Sequence, residues 1–268
     1  MKQMDADVII IGSGLVGLVA AHSLSTLGLR TIVVEKKNFL EISTSLKDTR
    51  TTAVSEGSRL FLDDLNLWKN LKGYAEPINE IKVFDRSPIN NISFSNKNGN
   101  KKLGYVIENK KFSVTLRKKL QNYPNTKIIY GADIKKISLT DTDAITHTSK
   151  YKIKSKLIIA ADGKNSDTKN LIGNKTFKKK YSENAMVLNF SHKKNLNGVA
   201  YEIFLENGPL AILPMKQVKK NYHSTVIWSN NKKILRSLNE CNNECVANFM
   251  EEKIGNIVGN ITKINSTQ

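Results

Sequence analysis

The run Asp7-Val8-Ile9-Ile10-Ile11-Gly12-Ser13-Gly14-Leu15-Val16-Gly17 decides how this chain folds. Val8 to Ile11 is a continuous β-branched run, the composition of a strand buried on both faces in a parallel sheet. Three glycines in G-x-G-x-x-G spacing follow at once. Leu15 to Leu27 then reads as a helix with small residues Gly17, Ala20 and Ala21 on one side, and Gly28 stops it. A second β-branched run, Leu29 to Glu35, completes a strand, helix, strand unit. In that context Gly12 permits the tight turn, Gly14 lets backbone approach a pyrophosphate, and Gly17 permits close helix–strand packing. The N–H groups at the helix start attract the phosphates. Glu35 closes the second strand, where a carboxylate accepts from free ribose hydroxyls and disfavours a 2′-phosphate. The pattern suits FAD or NAD better than NADP; a glycine-rich bend without a ligand is the bland alternative.

Working outward, apolar residues at Leu60, Phe61, Leu65 and Trp68 fall at helical spacing between Ser55 and Leu71, with Asp63 and Asp64 facing away. Between Lys82 and Asn100 the chain reads as short strands and loops, with turn residues at Arg86-Ser87-Pro88 and an Asn/Lys/Gly cluster. Phe112 to Leu120 predicts a helix. Lys127 to Tyr130, Ile134 to Leu139, Ala144 to His147 and Tyr151 to Ile153 predict an antiparallel layer, and Leu157 to Ala161 is a third apolar run. Strands are expected at Met186 to Phe190, Val199 to Leu205, Leu210 to Met215 and His223 to Trp228, with a last helix from about Lys232 to Lys253.

The 268 residues allow one large or two modest domains, and 40% hydrophobic content supports a real core. Lys and Arg number 42 against 24 Asp and Glu, a net charge of +18 that favours anionic partners. The cations are nearly all Lys amid many Asn and Ile, which fits compositional drift better than an Arg-built phosphate reader. No RNA- or DNA-reading motif occurs, so nucleic acid is not an expected partner. Cys241 and Cys245 lack further ligands for zinc, and two cysteines with no secretory signal point to a reducing, cytoplasmic setting. The histidines lie scattered with no nucleophile spacing, and no G-x-S-x-G suggests a hydrolase.

The longer N-terminal pattern Asp7, Gly12, Gly14, Gly17, Ala21, Gly28, Glu35 resembles the FAD-binding opening of flavoprotein monooxygenases related to para-hydroxybenzoate hydroxylase. Four further stretches resemble the ubiquinone-biosynthesis hydroxylases within that family. They are Asp48-Thr49-Arg50-Thr51-Thr52-Ala53-Val54-Ser55, Gly104-Tyr105-Val106-Ile107-Glu108-Asn109, Ala160-Ala161-Asp162-Gly163-Lys164-Asn165-Ser166 and Gly208-Pro209-Leu210-Ala211-Ile212-Leu213-Pro214. The resemblance implies an α/β fold. A Rossmann-like three-layer FAD-binding domain would come from 1–74 and 101–175, with a sheet-dominated α+β substrate domain from 76–100 and 176–268.

It further implies an oxidoreductase in which NAD(P)H reduces FAD. Dioxygen would form a C4a-hydroperoxide that hydroxylates an aromatic ring, a polyprenylated phenol on the route to ubiquinone. The flavin carries the chemistry, so no catalytic Ser, Cys or metal cluster is needed; no catalytic residue is assigned.

Cofactor contacts are implied at Gly12, Gly14, Gly17, Glu35, Lys36, Arg50, Asn109, Asp162 and Gly163. Arg50 would offer its charge near the flavin, or be a surface arginine. Lys36 would lie along adenine, or be solvated. Asn109 would touch the cofactor, or cap a helix. Asp162-Gly163 would close over the pyrophosphate, or form a plain strand-end turn. Pro209 to Pro214 would be a turn facing the substrate cavity, or an inert tight turn.

Three departures stand out: Ser113 replaces a basic residue after Asn109, with Lys110, Lys111 and Arg117 nearby, Ala160 replaces the glycine of the G-A-D-G motif, and no Gly-Asp of a third FAD motif occurs. The chain therefore reads as truncated before that motif, and an inactive nucleotide-binding remnant is the alternative. An apolar substrate would bring the protein to the inner face of the membrane or to a biosynthetic complex, aided by its charge. A basic lipid- or RNA-binding module on this fold, and a prenyl-chain reductase, fit the motifs less well.

Overall fold

The computed structural model describes residues 1–44, 48–85, 87–96, 101–218 and 221–267. Along the chain run β1 (Lys2–Asp5), β2 (Val8–Ile11), α1 (Leu15–Thr26), β3 (Thr31–Val34), α2 (Phe39–Thr44), β4 (Thr51–Ser55), α3 (Glu56–Asp64) and α4 (Trp68–Leu71). Next come β5 (Glu76–Ile78), β6 (Glu80–Asp85), β7 (Ser87–Ser95), β8 (Gly104–Glu108), α5 (Asn109–Leu120), β9 (Thr126–Ile129), β10 (Ile134–Leu139), β11 (Ala144–Thr148), β12 (Tyr151–Ser155), β13 (Leu157–Ala160) and α6 (Thr168–Leu171). The remainder forms β14 (Glu183–His192), β15 (Val199–Leu205), β16 (Gly208–Val218), β17 (Asn221–Asn231), α7 (Lys232–Glu240), α8 (Asn243–Val258) and β18 (Ile261–Thr267).

The chain divides into two compact units. Met1–Asp48, Leu65–Leu67 and Lys111–Lys178 make the first, and Thr49–Asp64, Trp68–Lys110 and Lys179–Gln268 the second. This grouping differs from the sequence-based division at 49–64, 68–74, 101–110 and 176–178. The physical reason is hydrogen bonding: β4 and β5 both pair antiparallel with β8, and Val106 and Ile78 share a core with Ala200, Leu213 and Met215.

In the first unit a four-stranded parallel sheet runs β13-β2-β3-β9. Every residue of β2 is buried, as its apolar run requires. α1 makes the crossover from β2 to β3, and His22 Nε2 lies 2.8 Å from the Leu116 carbonyl of α5. Ile9, Ile32, Val34 and Ile129 pack with Ile153 into this unit's core. A second sheet, β1-β12-β11-β10, is antiparallel except where β1 pairs with β12. The run at 127–130, expected in the antiparallel layer, instead supplies β9 of the parallel sheet. β-branched content marks a strand but not its partner, and here Thr31 and Glu35 donate to Asn125 and Ile129 and draw it beside β3.

The second unit is built on a seven-stranded sheet, β18-β14-β17-β16-β15-β6-β7, antiparallel apart from β15 beside β6. Alternation along β14, β16 and β17 puts Met186, Leu188, Phe190, Leu210, Ile212, Val226 and Trp228 on one face. Leu235, Leu238, Val246, Met250, Ile254 and Val258 of α7 and α8 cover it. The single last helix expected from 232 to 253 is two helices. Asn242 breaks it by accepting from Cys245 N at 2.8 Å as an N-cap, so Cys241 ends α7 while Cys245 starts α8. The helix expected between Ser55 and Leu71 also divides, where Asn66 takes φ 55°. Leu62 is the buried residue of α3, Trp68 and Leu71 are buried in α4, and Leu60 and Phe61 are half exposed. β6 and β7 form a hairpin; Arg86 and the Asn/Lys/Gly cluster at 97–100 lie outside the described residues.

Candidate dinucleotide site

The glycine loop sits where β2 hands the chain to α1. Gly12 has φ +102°, and a Cβ there would stand 2.5 Å from the Ala161 carbonyl oxygen. A Cβ on Gly17 would overlap the Gly12 carbonyl oxygen, so the first turn of α1 lies directly on the loop. Gly14 is different: it has ordinary extended backbone as N-cap of α1, and a Cβ would meet nothing within 4 Å. No side chain of the N-cap residue bonds the start of α1, and its first turn holds no acidic residue.

Glu35 braces this loop. Its Oε2 accepts from Ser13 N at 2.8 Å and Ser13 Oγ at 2.7 Å, while Oε1 accepts from Lys37 N at 2.9 Å. From the other side Arg117 Nη2 donates to the Ser13 carbonyl at 2.9 Å. Burial draws the Arg117 pKa down, with Tyr130 and Glu35 acting against it.

Gly12, Gly14, Glu35, Lys36, Asp162 and Gly163 line one cleft of about 510 Å³. Lys36 Nζ lies 3.4 Å from Asp167 and 3.7 Å from Asp133, two further lining residues. Asp162 turns its carboxylate inward to the chain, accepting from Thr168 N at 3.0 Å and Thr168 Oγ1 at 2.9 Å. Burial raises its pKa, but the Thr168 backbone and the Ser166 and Thr168 hydroxyls outweigh this and hold it below the ordinary carboxylate range.

Six of the nine expected contact residues therefore line the cleft, and Gly17 lies against the loop. Arg50 and Asn109 belong to the second unit. There Asn109 N donates to the Arg50 carbonyl at 2.9 Å, and Asn109 Oδ1 accepts from Thr52 Oγ1 at 2.5 Å. Asn109 is the first residue of α5. The stretch Pro209 to Pro214, expected as a turn by resemblance, lies in strand β16, as the apolar run Leu210 to Met215 predicts, and its alternating side chains enter the sheet core. Ser13, Asp133 and Asp167 contribute without any sequence motif to mark them, and Arg117, named only as a basic neighbour of Ser113, holds the loop. Arg117 carried one signal, an arginine in a chain whose cations are nearly all lysine.

An uncapped helix start, an open position at Gly14, a carboxylate ending the second strand and a cleft joining them fit an adenine dinucleotide. The fold and site thus define a dinucleotide-binding flavoprotein-type α/β protein. Residues 5–264 match the model of the FAD binding domain family, and the chain belongs to that family.

It is 26% identical over 261 residues to the ubiquinone hydroxylase UbiL of Rhodospirillum rubrum, covering 95% of this chain and 58% of that protein. It is also 26% identical over 284 residues to the mitochondrial ubiquinone biosynthesis monooxygenase COQ6 of Dictyostelium discoideum, covering 92% and 56%. The p-nitrophenol 4-monooxygenase PnpA of Pseudomonas putida shares the fold with a TM-score of 0.75 at 17% identity, over 100% of this chain and 66% of that one. The chain thus spans a little over half the length of these curated relatives. All three are named as hydroxylases or monooxygenases, which gives the inactive-remnant alternative no support. Among the described residues no helix is long and apolar enough to cross a membrane.

Proposed function

We propose that this protein acts as an FAD-dependent, NAD(P)H-consuming monooxygenase that hydroxylates an aromatic ring, a polyprenylated phenol of ubiquinone biosynthesis. The observation that carries the reading is the vacant position beside Gly14 at an uncapped helix start, in a chain matched along 95% of its length by a ubiquinone hydroxylase. Bound flavin would supply the oxygen-activating chemistry.

The protein's own residues hold and orient. Gly12 and Gly17 keep the loop closed on α1, and the backbone at Gly14 and the first turn of α1 receives the pyrophosphate. Glu35 accepts from ribose hydroxyls, exchanging its Ser13 bonds for them. Lys36 lies along the adenine, and Asp162 fixes the Gly163 turn that borders the cleft. Arg50 and Asn109 are the further residues assigned to the flavin. The second unit contributes the substrate domain, and the +18 charge assists peripheral contact with anionic lipid.

Purified chain titrated with FAD should quench flavin fluorescence at one equivalent, and NADH oxidation should rise on adding a prenylphenol and yield a product heavier by one oxygen. A flavin-loaded protein that oxidises NADH without ever oxygenating a phenol would overturn the reading. Vesicle binding should fall in high salt; salt-insensitive binding would count against the charge argument.

A further inference from the structure

The two cysteines of the chain stand four apart in Cys241-Asn242-Asn243-Glu244-Cys245. On one continuous helix, residues four apart hold their Cβ atoms about 5–6 Å apart, beyond the roughly 3.5–4.5 Å that a disulfide spans. The break between α7 and α8 removes that limit. Cys241 ends α7 with extended backbone at φ −72° and ψ 152°, and Asn242 follows, also extended, at φ −71° and ψ 167°. Asn242 Oδ1 accepts from Cys245 N at 2.8 Å, which fixes Cys245 in the first turn of α8. This turn brings the side chains together, and the two thiols hydrogen-bond to one another.

The pair is asymmetric. Cys241 is partly buried and packs against the core that α7 and α8 share with the seven-stranded sheet, whereas Cys245 is exposed. The bond from Cys245, then burial, then the charges of Cys245 and Glu240 push the Cys241 pKa up and keep that group a protonated thiol. An oxidant arriving from solvent therefore meets Cys245 first, with Cys241 already in place behind it.

We propose that Cys241 and Cys245 form a redox-active dithiol that closes reversibly to an intramolecular disulfide, with a low-molecular-weight disulfide such as that of glutathione as the oxidant. The Cys245 sulfur attacks one sulfur of the small disulfide, and a thiol leaves. Cys241 then attacks the Cys245 sulfur of the mixed disulfide, and the second thiol leaves. Two protein thiols are oxidised, one small disulfide is reduced, and the two protons depart on the released thiols. The new bond ties the end of α7 to the first turn of α8. In a reducing compartment such a bond forms transiently, as redox-sensing disulfides do. The inference goes beyond the hydroxylase reading and does not rest on it.

The test equilibrates the 268-residue chain in glutathione buffers of graded oxidising strength, quenches it in acid and alkylates the free thiols. Both cysteines lie on the tryptic peptide from Ser237 to Lys253. That peptide should lose both alkylation sites in one step, weigh about 2 Da less than its unalkylated reduced form, and regain both sites with dithiothreitol. In urea, where the cap is lost, the pair should close roughly tenfold less readily, because the fold no longer holds the thiols together. Cys241→Ser should stop at one glutathione on Cys245. Cys245→Ser should leave Cys241 largely unmodified, as its partial burial requires. Thiols that stay free at the most oxidising ratio, two glutathiones on the wild-type chain, chain-to-chain dimers, or the same midpoint in urea would each overturn the proposal.

Discussion

Alanine at Gly12 and at Gly14 should have opposite effects although the two glycines are two residues apart. At Gly12 a Cβ would lie 2.5 Å from the Ala161 oxygen and 2.8 Å from its carbon, at φ +102°. Ordinary contact begins near 3.4 Å, so the loop or β13 must move by about 0.9 Å, an overpacking cost of about 1–3 kcal/mol. Holding a non-glycine residue at that φ adds about 1–3 kcal/mol more. Gly12→Ala should therefore lose about 2–6 kcal/mol, a large part of a typical domain's stability.

Gly14 has extended backbone and open space, so Gly14→Ala should shift stability by no more than about 0.5 kcal/mol. Its methyl would instead stand where backbone must approach the pyrophosphate. Losing one bond to a charged phosphate at about 1.5–3 kcal/mol weakens FAD roughly tenfold to a hundredfold. Urea unfolding and a flavin fluorescence titration on the same preparations separate the two effects. A Gly14→Ala chain that binds FAD like wild type would remove the pyrophosphate from this loop. One destabilised as much as Gly12→Ala would show that the position is not open.

Arg117→Ala should cost about 1–3 kcal/mol by leaving the Ser13 carbonyl unpaired and should loosen FAD binding, with unfolding curves and flavin titration as readouts; an unchanged loop and stability would refute the brace. Asn242→Ala should lose about 1 kcal/mol through the missing cap of α8, and Asn242→Asp should retain most of it, as thermal unfolding would report. Asp162 gives a pH dependence. Its folded pKa is depressed, so its contribution to stability is present above the unfolded pKa and is lost as pH falls through the folded one. Asp162→Asn should therefore flatten the loss of stability below about pH 4, and parallel wild-type and variant curves would contradict this.

Short-range chemistry was legible and long-range pairing was not. The β2, α1, β3 unit could be placed because buried strands, glycine spacing and a closing carboxylate each act within a few residues of themselves. β9 was placed in the wrong sheet because its residues state only that they form a strand, and its partner is chosen by Asn125 and Ile129 meeting Thr31 and Glu35. The breaks at Asn66 and Asn242 were hidden by apolar spacing that runs through them, although each asparagine has a local reason to stop a helix. The contribution of Arg117 depends on α5 packing beside α1, which no sequence window contains.

The charge reading divides in the same way. A chain at +18 invites the inference that lysines collect the phosphates. Yet among the described residues the charged side chains lining the cleft are Glu35, Asp133, Asp162 and Asp167 against Lys36, four carboxylates to one ammonium. On the proposed reading, backbone N–H groups at the start of α1 are left to receive the pyrophosphate, where they would add attraction without a counter-charge to desolvate. The carboxylates would act at the other end, accepting from free hydroxyls and repelling a further phosphate on the ribose. The distributed lysines would then serve the encounter, drawing an anionic cofactor from a distance that salt screens away. Selection among cofactors would belong to the carboxylates at short range. Adding salt should accordingly slow FAD association more than it changes the preference for FAD over a 2′-phosphorylated dinucleotide. Stopped-flow association rates and competition binding at two ionic strengths would decide between this division and a lysine-built phosphate site.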